Sequence, residues 1–299
     1  MPGIGIDFGT TNSSIVCYDE KKKKIDYLMD KTFEGKPLPY PSFVWYNDNH
    51  VIVGKEAKNN FNTYSGRPGH CLVKSIKSLL GSNEKITVFG DSREPFQITS
   101  DILKYLKHMA LNNYRSSLVG SNFEQAVFTV PVNFSGRQRA ELRKAAELAG
   151  INVQTFIHEP FAAVIGYLFG NSNNELIHKY KGKYLLVFDW GGGTLDITVV
   201  KVDNNGDKLF EVGTSQLTGI AGDKFDEELM NICINRFKDK YIERFRSEYL
   251  DEKLRGKVDR ILYYVERCKI NLSSYERAHI ESQIFAETDG SNTIFYDIN

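Results

Sequence analysis

At 299 residues the chain suits two lobes or domains better than one compact core. Lys+Arg and Asp+Glu balance at 38 each, with 41% apolar and 25% charged residues. That composition is ordinary for a globular protein and excludes a global field drawing the chain to nucleic acid or an anionic membrane surface. The longest strongly apolar stretch, Phe161–Phe169, is too short to span a bilayer. Met1 leads directly into a strand-like run, with no basic n-region, apolar h-region or cleavage site. The four cysteines, at positions 17, 71, 233 and 268, form no CxxC pair, and the six histidines form no HExxH. The expectation is reduced thiols in a cytoplasmic protein, with no disulfide or zinc framework.

In chain order, Ile4–Asp7 and Ser14–Tyr18 read as strands around a Gly/Thr/Asn turn. The lysine run 21–24 reads as a solvated hairpin tip before a strand at Ile25–Met29. The stretch from Gly35 to Leu80 mixes prolines, short strands and loops. Helical periodicity begins near Val73, and again over Thr99–Leu111, where Thr99 or Ser100 would cap the start. Ala126–Pro131 is a β-branched strand closed by proline. Ser135 stands three residues before Gln138, a capping box for a helix that buries Leu142, Ala145, Ala146 and Ala149 and stops at Gly150.

A strand at Val153–Ile157 follows, then Glu159-Pro160 opens an apolar helix; proline costs nothing at a position whose N–H is orphaned anyway. After a polar linker at Asn171–Asn174, the continuous apolar run Tyr184–Phe188 reads as a buried central strand, and Leu195–Val202 as an alternating one. Helices are predicted at about Lys224–Phe245 and Glu252–Leu272, then a strand over His279–Glu287 and no evident terminal element.

Two of these turns repeat one pattern. Ile4-Gly5-Ile6-Asp7-Phe8-Gly9-Thr10-Thr11 and Leu186-Val187-Phe188-Asp189-Trp190-Gly191-Gly192-Gly193-Thr194 both run apolar strand, Asp, aromatic, Gly-containing turn, Thr. The two aspartates lie 182 positions apart, which predicts two similarly built halves whose turns face one cleft. Glycine lets backbone N–H groups approach phosphate oxygens as an anion-binding nest, and Thr hydroxyls add donors. Asp7 and Asp189 would repel phosphate directly, so they are better placed to hold Mg²⁺ or its water shell. Either turn alone reads equally well as an ordinary hairpin; it is the matched pair that points to phosphate. Neither is a GxxxxGK[ST] loop or a GxGxxG fingerprint.

With GIDFGTTNS (Gly5–Ser13) and FDWGGGTLD (Phe188–Asp196), four further segments follow in order: IKSLLG (Ile76–Gly81), FTVPVNF (Phe128–Phe134), RQRAELRKAAELAG (Arg137–Gly150) and HEPFAAVIGY (His158–Tyr167). VERCKINLSS (Val265–Ser274) completes the set. Together they resemble the ATPase domain of the seventy-kilodalton heat-shock chaperones, within the actin, sugar-kinase and chaperone superfamily. The resemblance implies an α/β fold of two lobes around a nucleotide cleft. Lobe I would take 1–175, with an inner subdomain of 1–37 and 100–175 and an outer one of 38–99. Lobe II would take 176–299, with an inner subdomain of 176–220 and an outer helical one of 221–299.

Carried over residue by residue, the resemblance makes Lys77 the catalytic lysine, in preference to Lys74. Glu159 would organise the metal and water shell, and Asp196 would lie near the nucleophilic water or a monovalent cation such as K⁺. Gly9, Thr10, Thr11, Asn12, Gly191, Gly192, Gly193 and Thr194 would contact phosphate, with Thr194 near the γ-phosphate. Asp7 and Asp189 would be the metal-shell acids. Gly222, Glu266, Lys269 and Ser273 would meet ribose and adenine, the last three spaced i, i+3, i+7 on one helix face. Pro131 and Arg139 resemble the pair that couples ATP to a substrate-binding domain. The implied cofactors are ATP/ADP and Mg²⁺. The implied partners are a J-domain co-chaperone, a nucleotide exchange factor and unfolded client peptides, on a monomer that binds neither nucleic acid nor membrane.

The chain also departs from the family. Trp190 replaces a smaller aliphatic residue, Ala221 the first of two glycines, and Ile270 an arginine of some members. The family's further Gly-rich segment, interdomain linker and peptide-binding domain do not occur within these 299 residues. The expectation is a second lobe lacking half of its inner layer and an adenine pocket without the segment that completes it. Two other readings stand beside Mg²⁺-dependent ATP hydrolysis: a nucleotide-binding module without turnover, and an actin-like filament protein. A sugar kinase would need a further acid to act as sugar base, and the sequence offers none.

Overall fold

The computed structural model describes residues 3–19, 24–31, 38–47, 50–65, 67–115, 118, 123–170, 175–241, 258–282 and 294–298. Ile4, Ile6 and Phe8 alternate with Gly5 and Asp7, and this period of two makes a strand, β1 (Gly3–Phe8), that buries those three apolar side chains completely. β2 (Asn12–Asp19) folds back antiparallel, setting Asp7 opposite Ser14 and Phe8 opposite Ser13. β3 (Lys24–Tyr27) extends the sheet, and the short β4 (Tyr40–Pro41) pairs with the start of β2. An outer three-stranded sheet follows, built of β5 (Val44–Asn47), β6 (His50–Val53) and β7 (His70–Val73), with α1 (Lys55–Tyr64) against it.

The hairpin of β8 (Ile86–Val88) and β9 (Asp91–Arg93) leads into α2 (Pro95–Asn113). The chain then returns to the first sheet. β10 (Ala126–Val130) enters parallel to β1, α3 (Gly136–Leu148) crosses over, and β11 (Val153–His158) joins parallel to β10. The resulting order is β11-β10-β1-β2-β3. Ile98, Ile102, Leu103 and Leu106 of α2 pack with Leu142, Ala145 and Ala146 of α3 and with Ile4, Ile6 and Phe128 of the sheet in one large core. β10 lies between two parallel neighbours and buries Ala126, Phe128 and Val130 on one face, while Thr129 on the other lines the cavity.

α4 (Glu159–Phe169) starts where β11 ends, yet its apolar side lies on the second sheet. After α5 (Glu175–Lys179), that sheet is the meander β12 (Tyr184–Trp190), β13 (Thr194–Val202) and β14 (Leu209–Thr218). Val164 and Leu168 of α4 pack there against Val200 and Val202. α4 therefore joins the two sheets, and its first residue, Glu159, stands at the junction. Beyond the meander, α6 (Gly222–Tyr241) and α7 (Val258–Leu272) share a small core around Met230, Cys233, Val265 and Cys268, with the hairpin β15 (Ala278–Ser282) and β16 (Ile294–Ile298) beside them.

Four expectations from sequence are corrected here. Tyr184–Phe188 is not a buried central strand: among the described residues β12 lies at the edge of its sheet, with Leu186 69% and Phe188 56% exposed. The helix starting near Val73 is instead the end of β7 followed by a single 3-10 turn, Ile76–Leu79, entered through Ser75 in the left-handed region at φ 54°. Neither Thr99 nor Ser100 caps α2. Both are buried inside it, and Glu94, directly after the hairpin, closes the capping box with Gln97. A terminal element does exist, because β16 pairs with β15. Lysines 21–23, the linker Asn171–Asn174 and the middle of the predicted helical region (242–257) lie outside the described residues.

The capping box at α3 is present as read. Gln138 N donates to Ser135 Oγ at 3.2 Å and Ser135 N donates to Gln138 Oε1 at 2.8 Å, while Gly150 takes φ 66° at the far end. Ser135→Ala should lower the unfolding free energy by about 1 kcal/mol. Urea titration followed by circular dichroism checks this, and an unchanged midpoint would show that the cap is redundant.

Candidate functional site

Each matched turn is a three-residue loop between antiparallel strands: Gly9–Thr11 between β1 and β2, and Gly191–Gly193 between β12 and β13. A Cβ on Gly9 would overlap the carbonyl oxygen of Asn12, so the tightness of the first loop itself demands glycine. In the second loop the close approach comes from across the cleft, and Gly192 is the position where it is tighter than ordinary van der Waals contact. A Cβ on Gly192 would stand 2.7 Å from Thr11 Oγ1, and one on Gly193 would stand 3.5 Å from Thr10 Oγ1. The two loop tips thus face each other at side-chain contact distance.

They form the mouth of a cavity of about 880 Å³. Asp7, Gly9, Thr10, Thr11, Asn12, Lys77, Glu159, Asp189, Gly191, Gly192, Gly193 and Thr194 all line it. Of the two rival lysines, Lys77 is the one in the cavity. Lys74 instead reaches toward the ring of Phe61, 5.7 Å from its centre.

Lys77 is 5% exposed, and its Nζ donates to Glu159 Oε1 at 2.5 Å. Among the described residues it is the only Lys or Arg in the cavity lining, against three carboxylates: Asp7, Glu159 and Asp189. Burial pushes the Glu159 carboxyl up to about 7; Lys77 pulls it down, and Asp7 and Asp189 push it further up. Burial also raises Asp189, followed by the charges of Asp196 and Asp7. Such an acid-rich pocket favours a bound cation. Among the described residues, however, no three His, Cys, Asp or Glu side chains lie close enough to enclose a metal directly. The donors present fit a magnesium ion that keeps much of its water and is held chiefly by phosphate oxygens.

Asp196 lies beneath the cavity, 1% exposed and fully engaged. It accepts from Thr194 Oγ1 at 2.8 Å, from Gln216 Nε2 at 2.8 Å and from Val132 N at 3.3 Å. The Val132 contact ties the second sheet to the segment after β10. Gly222, Glu266, Lys269 and Ser273 do not line the cavity. Gly222 N donates to Gly191 O at 3.1 Å, bracing the second loop from behind. Lys269 Nζ is held by Asp226 at 2.8 Å and by Gly222 O at 3.1 Å, and Glu266 pairs with Lys58 of α1 at 3.4 Å. Ser273 is exposed and turns back toward Lys269 O at 3.5 Å. On that side Tyr263 of α7 packs on the Phe43, Trp45 and Phe61 cluster, so the helices meet the outer sheet across the cleft.

Thr129, Asn133, Phe134 and Gln216 also belong to the site, although the sequence reading singled out none of them. Thr129 Oγ1 donates to Asp7 Oδ1 at 2.6 Å. The parallel pairing of β1 with β10 sets Asp7 beside Thr129, a register that local pattern does not encode. Trp190 is a structural departure: its Nε1 donates to Ile220 O at 2.8 Å and its ring packs on Phe225, 5.6 Å between centres.

The raised Glu159 carboxyl gives a signed prediction. Between its ordinary value of 4.5 and about 7, the folded state holds the proton more tightly than the unfolded state. Stability from this group is therefore fully present below 4.5 and is lost as pH rises through 7, and Asp189 adds in the same direction. Nucleotide-free protein in chelator should melt at a lower temperature at pH 8 than at pH 5, and Glu159→Gln should flatten the trend. Calorimetric scans across that range check it; an undiminished slope in the variant refutes the assignment to Glu159.

Comparison with known proteins matches this frame. The Hsp70 protein family pattern covers residues 3–296. The chaperone protein DnaK of Mycoplasma mycoides subsp. mycoides SC is 30% identical over 293 residues, covering 98% of this chain and 44% of that protein. The DnaK of Mycoplasma mobile is 31% identical over 287 residues, with 96% and 43% covered, and that of Ureaplasma urealyticum serovar 10 is 30% identical over 296 residues, with 98% and 44% covered. The chain therefore spans less than half the length of these relatives. Among the described residues no helix is long and apolar enough to cross a membrane. With its paired Asp-turn-Thr hairpins facing one cavity, and with a match running almost from end to end, this chain belongs to the Hsp70 family and has the mixed α/β fold of that family's ATPase domain.

Proposed function

We propose that the chain binds ATP between two lobes, split near residue 175, and hydrolyses it in a Mg²⁺-dependent reaction that couples nucleotide state to lobe closure and, in a chaperone, to client binding. The observation that carries this reading is the meeting of the two Gly/Thr loops over a buried Lys77–Glu159 pair. Backbone N–H groups of both loops and the hydroxyls of Thr10, Thr11 and Thr194 bind the phosphate chain. Mg²⁺, when bound, supplies neutralisation of phosphate charge, with Asp7 and Asp189 holding its water shell.

Lys77 stabilises charge on the transferring phosphoryl group, and nucleotide entry draws it from Glu159 toward the phosphates. Glu159, whose carboxyl sits near neutrality, is poised to orient the attacking water and accept its proton. Asp196 acts from below: it fixes the hydroxyl of Thr194 and, through Val132, the relation of the two lobes. J-domain and exchange-factor partners, a cytoplasmic setting and a K⁺ site at Asp196 belong to this reading only as consequences of family membership.

A second reading, a nucleotide-binding module with little turnover, is favoured by one observation: Glu266 and Lys269 are already paired and stand outside the cavity lining. Single-turnover phosphate release and calorimetry with ATP and ADP separate the two. On the hydrolysis reading Lys77→Ala should slow phosphate release about a hundredfold or more while ATP still binds. An equal rate in the variant refutes the role of Lys77, and binding without phosphate release in the parent chain selects the second reading.

A further inference from the structure

We infer that His158 and Glu211 form an interlobe strut that positions the Lys77–Glu159 pair, an inference that rests on the hydrolysis reading above. His158 is the last residue of β11 and the N-cap of α4, directly before Glu159. Its Nδ1 lies 2.9 Å and 3.0 Å from the two carboxylate oxygens of Glu211, which projects from β14 of the other lobe. On the other side of the ring, Nε2 faces Arg139 Nη2 at 3.5 Å. One tautomer satisfies both neighbours: Nδ1–H donates to Glu211, and Nε2 accepts from the guanidinium, which has no acceptor of its own. The imidazole is thereby fixed between an anion from lobe II and a cation from lobe I.

Both members of the catalytic pair connect to this ring, Glu159 directly and Lys77 through Arg139 and Phe134. Glu159 is joined to His158 by a peptide bond. Lys77 is reached through Arg139, whose Nε donates to Phe134 O at 3.0 Å, because the ring of Phe134 lines the cavity with Lys77 Nζ 6.0 Å from its centre. A rotation of lobe II that carries β14 away would release the imidazole, and with it the first turn of α4 and the support behind Phe134. His158 and Glu211 both stand outside the cavity lining, so they are positioning residues. The strut would make the ion-pair geometry depend on the lobe angle.

The test uses the full chain with Glu211→Ala, which removes the strut, and Glu211→Gln, which keeps a hydrogen-bond acceptor without the charge. With bound MgATP, single-turnover phosphate release should slow about tenfold in Glu211→Ala, with ATP affinity changed by less than about twofold, and Glu211→Gln should recover to within about threefold of the parent. A parental rate in the alanine variant, a glutamine variant as slow as alanine, or a rate loss matched by an equal affinity loss overturns the strut. In nucleotide-free protein, amide exchange at Ala162 and Ala163, the first amides bonded within α4, should quicken about tenfold in Glu211→Ala and stay parental in Glu211→Gln. Unchanged exchange overturns the proposal whether or not the parent turns over ATP. Quickened exchange in a chain that releases no phosphate upholds the strut and removes the hydrolysis reading instead.

Discussion

A single buried ammonium group sets the charge balance of this molecule's acidic cavity floor. Asp7, Glu159 and Asp189 converge on one cavity from three separate strand ends, and without a cation their mutual repulsion and desolvation would oppose closure. Lys77 is the protein's own partial answer. A buried ion pair gains little net stability once desolvation is counted, so this pair is better understood as a device that sets charge and geometry than as a fastener. The fold also strains to place it. Lys77 rides on one 3-10 turn entered through Ser75, a non-glycine residue in the left-handed region, where a continuous helix would have carried the side chain round a different arc.

The same economy governs the loops. Three-residue turns bring backbone donors to the cleft with few side chains in the way, but they have no rigidity of their own. The first is backed by β1 lying between parallel β10 and antiparallel β2, with Thr129 fixing Asp7. The second is backed by the start of α6, where Gly222 N and Asp223 N donate to the carbonyls of Gly191 and Gly192 at 3.1 Å and 2.8 Å. A helix N-terminus leaves its first amides unpaired, and here two of them brace a loop instead of binding a ligand themselves. Trp190, bonded to Ile220 and packed on Phe225, strengthens that support.

Much of this was legible in the sequence because its determinants are local. The capping box at Ser135, the left-handed stop at Gly150 and the Glu-Pro opening of α4 each depend on residues within a few positions of one another. The paired hairpins were legible through repetition. What was not legible depends on contacts between distant segments. Thr129 enters the site through strand register, and Gln216 through a meander whose third strand the alternation of Leu195–Val202 does not announce. Thr99 and Ser100 have the chemistry of caps, yet α2 begins earlier because Glu94 and Gln97 satisfy its first amides and Pro95 sits where no N–H is needed. Tyr184–Phe188 misled for a further reason: an apolar run signals a strand with two faces to bury, whereas β12 buries only one of them.

That half-covered strand bears on how the two halves share the work of the site. In the first sheet, β1 lies between two neighbouring strands and buries Ile4, Ile6 and Phe8 on one face, so Asp7 and Gly9–Thr11 rest on a large core. β12 occupies the corresponding place in the second sheet, but among the described residues its outer edge has no partner strand, and Leu186 and Phe188 lie open on one face. Burying a side chain of that size contributes about 1.5–3 kcal/mol, and the second sheet gains little of it on that face. Its remaining anchors are α4 beneath, through Val164 and Leu168, and the polar ties that cross to the first half: Asp196 to Val132 and Glu211 to His158. The second loop is thus braced within its own half by the start of α6, while the sheet that carries it reaches the first half through Asp196–Val132 and through Glu211–His158. In such an arrangement a displacement of the second sheet bears directly on His158, the residue before Glu159.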